Sequence, residues 1–150
     1  MASKADPTNS LIFYKLTIRD PTVKPDQIWD AVSASEYRVK WDIRMNDAKV
    51  VDKKGKAAVL YFKGRQPPVP FVYQREILLG QFEKTQEGKR VLYSSSCHHP
   101  EVPLPDDGTN IIRANVFVKA ITVEEDENGG TLFSELVVLD LGGAIPAFII

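Results

Sequence analysis

Few residues in this chain of 150 have the type and spacing to do chemistry. The densest cluster is Cys97-His98-His99. A thiol beside imidazoles can serve as an activated nucleophile, and the same donors bind zinc. Neighbours on a strand point to opposite faces, so Cys97 and His99 would share one face and His98 would take the other. Either chemistry then needs an orienting group or further ligands from elsewhere in the chain. The plainer reading is a polar strand end ahead of a proline loop. Arg75-Glu76 is the second candidate. An inward arginine can hold a phosphate or carboxylate with its planar fork. A structural ion pair or a rim charge facing water is the alternative, and Arg113 carries the same two readings. Lys53-Lys54-Gly55-Lys56 could meet acidic head groups, although a charged hairpin turn in water needs no partner. Residues 67–72, PPVPFV, could offer an apolar tip to a membrane; packing on the chain's own sheet is preferred. Trp29 and Trp41 read as core. The chain contains no GxGxxG, P-loop, HExxH or GxSxG motif.

The elements that must position these residues are mostly strands. Residues 11–20 alternate, with Leu11, Phe13, Lys15, Thr17 and Arg19 set against Ile12, Tyr14, Leu16 and Ile18, which predicts a strand with one buried face. Pro25-Asp26 opens an amphipathic helix over 26–35, with proline where its missing N–H costs least. A second short helix covers 37–41. Strands follow at 48–52 and 57–63, joined by a glycine turn as a hairpin. Three prolines make 66–72 irregular. Strands at 73–85 and 90–98 form another hairpin, 100–108 is a loop, and strands run over 111–124 and 131–140. Seven strands joined mostly by short turns pair mostly antiparallel. With one helix after the first strand and another opening near the C-terminus, the pattern is α+β, a large curved antiparallel β-sheet with helices packed on one side. Residues 1–10 form a flexible lead and 11–150 one domain.

Composition narrows the function classes. Hydrophobic content of 43% and charged content of 26% are ordinary for a globular chain able to bury a core. A formal net charge of -1 gives no global electrostatic case for nucleic acid or anionic membrane. One cysteine excludes an intrachain disulfide and a multi-cysteine zinc site. No apolar run reaches the ~18 residues of a membrane span, and the polar N-terminus has no signal core, so cytoplasmic residence is expected.

Several short motifs stand in a telling order. Trp41-Asp42 follows the helices. Val59-Leu60-Tyr61, then Pro68-Val69-Pro70, precede Arg75-Glu76. Ser96-Cys97-His98-His99-Pro100 with Pro103 ends a strand, and Arg113-Ala114 starts a later one. Asp140-Leu141-Gly142-Gly143-Ala144-Ile145-Pro146 closes the series. Together these resemble the START family of lipid-binding domains, and within it the phosphatidylcholine-transfer branch. The resemblance implies a helix-grip fold, a curved sheet wrapped on a long C-terminal helix around an apolar tunnel, and non-enzymatic lipid binding or transfer between membranes. It also implies that the chain is a partial START domain. The family's N-terminal elements and most of its closing helix have no counterpart here. Leaving the tunnel wall uncovered would cost on the order of 10 kcal/mol of burial. Glu76 stands where the family has aspartate, and residues 56–63 hold no acidic residue to pair with the arginine as in sterol carriers.

These readings make a phospholipid the favoured ligand and a sterol a weaker one. Arg75 is the candidate for the head-group phosphate, with Tyr61, Tyr73, His98 and Arg113 as polar partners. Pro68, Pro70, Phe71, Ile145, Pro146 and Phe148 form a candidate gate that opens locally during transient membrane contact. No cofactor, metal or nucleic acid is expected. Two other classes remain. One is a regulatory or protein-interaction module, including a homodimer whose partner supplies the lid. The other is a cyclase- or hydrolase-type enzyme using Cys97, His98 or His99.

Overall fold

Alternating sequence becomes sheet over most of the chain. The computed structural model describes residues 11–143 and Ile145. The lead at 1–10 and the gate candidates Pro146 and Phe148 lie outside the described residues. The elements are β1 (Leu11–Asp20), α1 (Pro25–Ser33), a 3-10 turn at Ser35–Tyr37, α2 (Arg38–Trp41), β2 (Met45–Lys54), β3 (Ala57–Gly64), β4 (Gln74–Gln86), β5 (Lys89–Ser96), β6 (Ile111–Arg113), β7 (Asn115–Glu125) and β8 (Thr131–Asp140). The described strands form one curved sheet in the order β1-β8-β7-β5-β4-β3-β2, with β6 beside β4. All neighbours on the main path are antiparallel; β6 runs parallel to β4.

The single strand expected over 111–124 is therefore two. Ile111–Arg113 pairs with Gln74–Glu76, whereas β7 pairs with β5 and β8. Ala114 marks the crossing, with its N–H donating to the Glu76 carbonyl at 2.9 Å. Hydrophobic alternation does not register a change of partner, so the break is invisible in the pattern.

The side that carries the helices is the inner face. Pro25 starts α1, and Gln27 reaches back to accept from the Lys24 N–H at 3.0 Å. Ile28, Trp29 and Val32 then pack on Leu92, Ile121 and Val123. A second inner cluster, Leu60, Phe62, Leu79 and Val116, lies between α2 and the proline segment. Register assigns Ile12, Tyr14, Leu16 and Ile18 to this same face, opposite Leu139, Val137, Glu135 and Phe133. The predicted parity of β1 holds, but the predicted burial does not. Leu16 is 41% and Ile18 48% exposed, because among the described residues nothing covers the β1 end of the inner face. Trp41 also departs from its expected core position. It is 54% exposed, on a four-residue helix.

The β7–β8 turn locks onto the end of β1. Asp126 accepts from the N–H groups of Asn128 and Gly130, both at 2.9 Å, and buried Thr131 donates to the Val23 carbonyl at 2.7 Å. A Cβ on Gly130 would stand 2.5 Å from the Asp20 carbonyl oxygen and 2.6 Å from Pro21 Cα, both backbone atoms that cannot easily yield. Gly130→Ala is expected to cost about 2 kcal/mol by overpacking. The urea midpoint reads it, and an unchanged midpoint would contradict this packing.

Candidate functional site

Two chambers run along the inner face. The outer one, about 470 Å³, lies between the proline segment, Leu141 and Ile145. The inner one, about 220 Å³, lies under α1 and α2. Both are walled by Phe62 and Leu79, and both are bordered by Arg38, Arg44 and Lys119. The groove is thus apolar along its length and charged where the chambers meet. A larger hollow, about 590 Å³, opens on the outer face between Phe82, Tyr93 and Phe117. No cluster of buried charges converges on it, so size alone does not make it the site.

The charged waist is built from α2 and three strands. The Asp42 carboxylate, 4% exposed, ends α2. Its Oδ1 accepts from Arg44 Nε at 2.9 Å and the Arg44 N–H at 3.1 Å; its Oδ2 accepts from Arg38 Nε and Arg44 Nη2, each at 3.0 Å. Burial raises the Asp42 pKa, but these donors outweigh it and hold the group at about 2. The Arg38 guanidinium, pinned by Nε, lies 5.7 Å from the Trp41 ring centre and 5.5 Å from that of Phe62. Across the groove, Lys119 Nζ pairs with Glu135 Oε1 at 3.2 Å, and the Tyr14 hydroxyl donates to Glu135 Oε2 at 3.1 Å. Burial pushes the Lys119 pKa down and the Arg38 charge adds to this, while Glu135 opposes both. Burial and the Glu135 charge push Tyr14 up to about 12.

Arg75 lines the outer chamber. Its Nε donates to the Leu141 carbonyl at 3.2 Å, Nη2 to Gly142 at 2.7 Å and Nη1 to Tyr73 at 2.5 Å. It therefore braces the glycine turn after β8. Gly142 and Gly143 have φ of +66° and +67°, and a Cβ on either would meet Ile112 at 2.9 Å. Burial lowers the Arg75 pKa, and among the described residues its hydrogen-bond partners are carbonyls, with no carboxylate. Three of its five N–H donors are taken, so each Nη keeps one.

The other candidates lie elsewhere. Tyr61 and Arg113 meet at Glu76, which is buried on the outer face. Glu76 accepts from the Tyr61 hydroxyl at 2.7 Å and from Arg113 Nε and Nη2 at 2.8 and 2.6 Å. Burial and the Glu76 hydrogen bond raise the Tyr61 pKa. Tyr73 contributes its carbonyl to Arg75, and its side chain is not part of either chamber wall. His98 borders a separate hollow with Cys97 and Arg113. β5 ends at Ser96, so strand parity does not carry through Cys97-His98-His99, and Cys97 and His98 face the same hollow. His99 Nδ1 accepts from the Glu101 N–H at 3.3 Å. Among the described residues no three His, Cys, Asp or Glu side chains are grouped to hold a metal ion. Of the gate candidates, Phe71 is 94% exposed with φ +64°, and Ile145 is buried in the outer-chamber wall. Pro68 and Pro70 are exposed.

Sequence reasoning did not single out Tyr14, Arg38, Arg44, Lys119 or Glu135 as functional. A signal was present for two of them. Lys119 and Glu135 interrupt otherwise apolar inward rows, Ile121 and Val123 on β7 and Phe133, Val137 and Leu139 on β8. A charge at apolar parity in mid-strand needs a buried partner.

An antiparallel sheet that grips short helices on one face, with a charged apolar groove between them, defines a domain of helix-grip architecture. The sequence matches the START domain family over residues 6–150, and the chain belongs to that family. Solved structures support the fold. Human STARD10 is 19% identical, with TM-score 0.79 over 90% of this chain and 54% of its own. Human StAR-related lipid transfer protein 5 is 18% identical, with TM-score 0.78 over 91% and 65%. The human StarD13 (DLC2) lipid transfer and protein localization domain is 19% identical, with TM-score 0.72 over 98% and 77%. The chain thus spans between half and two thirds of the length of the first two. No curated protein matches the sequence.

The low Asp42 pKa makes its stabilisation pH-dependent. A folded value of about 2, below the unfolded ~3.9, contributes stability above about pH 4 that is lost as pH falls towards 2. Asp42→Asn is expected to cost about 2 kcal/mol at pH 7 and to flatten that acid limb. Chemical denaturation between pH 2 and 7 measures it; parallel curves for the two proteins would contradict the assignment.

Proposed function

We propose that this chain binds a lipid in the inner-face groove and carries it between membranes, with a phospholipid as the favoured cargo. The observation that carries this reading is an apolar groove holding cationic donors with unspent hydrogens. Apolar walls suit acyl chains, and a half-buried arginine without a carboxylate partner gains most from an anionic ligand. Arg75 is the candidate phosphate contact through its remaining Nη hydrogens. Tyr73 supports it directly through its carbonyl, Tyr61 and Arg113 support the neighbouring Glu76, and His98, in a separate hollow, has no part in this contact. A sterol is less favoured because Arg75 has no acidic partner on the preceding strand. Family membership and structural neighbours whose names refer to lipid transfer support the class of cargo.

The proline segment is the proposed gate. Phe71 offers a fully exposed ring at its tip, suited to brief contact with a membrane. Among the described residues no helix is long and apolar enough to cross a bilayer, and the proposed protein is a cytoplasmic carrier that visits membranes. The same reading makes it a binding protein rather than an enzyme. Burial raises the Cys97 pKa and keeps the thiol protonated, which disfavours it as a nucleophile. A second reading rests on the inner side of β1, which none of the described residues covers at its far end and which would suit another copy of the chain supplying a lid.

Native mass spectrometry after incubation with mixed phospholipid vesicles tests the proposal. A folded monomer with one lipid adduct is expected. A folded protein that extracts no lipid would refute the carrier reading, and a lipid-free dimer would favour the second.

A further inference from the structure

The groove carries more positive charge than negative, and the excess lies where cargo would sit. Arg38, Arg44, Arg65, Arg75 and Lys119 border the two chambers. Among the described residues the matching carboxylates are Glu135 in the wall and Asp42 behind it. Arg44 and Arg65 are exposed, so water and salt screen them. That leaves three sheltered cations, Arg38, Arg75 and Lys119, against two sheltered carboxylates.

The two carboxylates are also largely spent. Asp42 serves two guanidinium groups at once, and Glu135 serves Lys119 and Tyr14. Arg38 uses Nε on Asp42, and among the described residues its Nη groups donate no hydrogen bond. Arg38, Arg75 and Lys119 all border the outer chamber, so a ligand seated there meets all three along its wall.

The aromatic side chains lead to the same conclusion. A quaternary ammonium group is held by open aromatic faces or carboxylates. Here the Trp41 and Phe62 rings already face Arg38, the protein's own cation. Of the other rings, Tyr14 borders only the outer chamber and Phe133 only the inner one, so among the described residues no two further rings share a chamber wall to receive choline.

We propose that the groove selects lipids whose head group carries net negative charge over zwitterionic choline lipids. The phosphate or carboxylate lies in the outer chamber between Arg75 and the Arg38–Lys119 side of the waist. This rests on the lipid-carrying reading and narrows it to one class of cargo. Arg38 has two roles, tying α2 to the sheet through Asp42 and presenting its outer nitrogens to the ligand.

The test offers vesicles of equal phosphatidylglycerol and phosphatidylcholine with identical acyl chains, and weighs the extracted lipid by native mass spectrometry. The phosphatidylglycerol adduct is expected to exceed the phosphatidylcholine adduct by about tenfold, the value of one charge-assisted hydrogen bond. An equal or reversed ratio overturns the selectivity while leaving lipid carriage standing. Extraction of neither overturns both. Arg38→Met, in which Asp42 keeps its bonds from Arg44, is expected to bring the ratio close to one. Arg38→Lys is expected to restore part of it, which separates loss of charge from misfolding. Lys54→Gln on the outer hairpin is expected to leave the ratio unchanged; an equal fall there would mean surface attraction and overturn the site. Glycerol 3-phosphate alone is expected to give no adduct, and an adduct as strong as the lipid's would show an anion bound without its chains.

Discussion

Asp42 is a carboxylate withdrawn from water, and four donors from Arg38 and Arg44 meet it. Arg44 supplies three of these donors, so losing Arg44 would leave the buried charge with a single partner, whereas losing Arg38 leaves it paired. The contact ties the end of α2 to the start of β2, where the Met45 N–H donates to the Asp42 carbonyl at 2.9 Å. It also sets the plane of Arg38 across Trp41 and Phe62. The groove's two chambers meet at this point, so one ion cluster fixes helix position, sheet edge and the charged waist together.

A second buried carboxylate does the corresponding work on the other face. Glu76 gathers Tyr61 from β3 and Arg113 from β6. Its carbonyl takes the Ala114 N–H as the chain crosses from β6 to β7. Arg75, the preceding residue, points inward and braces the turn after β8. Adjacent residues on one strand thus hold the outer wall and the mouth of the groove, which is the period-two consequence of placing two charges side by side.

Much of the fold was legible because alternation and turn chemistry agree locally. β1 and β8 match their expected limits at Leu11–Asp20 and Thr131–Asp140, and the α+β helix-grip class follows from that order and the family motifs. The β6–β7 break and the exposure of Trp41 were not legible, since both depend on which neighbour a residue meets. The placement of the candidate site residues was legible in part. Arg75 reaches the groove, but Tyr61 and Arg113 are committed to Glu76, and His98 lies in another hollow. Motif order identifies residues without giving their facing. Lys119 and Glu135 carried the better signal, two opposite charges on inward parity, and that signal has meaning only once β7 and β8 are known to pair.

The central claim is that this inner face holds a lipid with its anionic group among Arg75, Arg38 and Lys119. A crystal structure of the protein loaded with a phospholipid brominated on its acyl chains tests it most directly. Anomalous bromine peaks should line the groove between the helices and the inner face of the sheet, with the phosphate in the outer chamber beside Arg75. Bromine confined to the hollow between Phe82, Tyr93 and Phe117, or a phosphate remote from all three cations, would contradict the account.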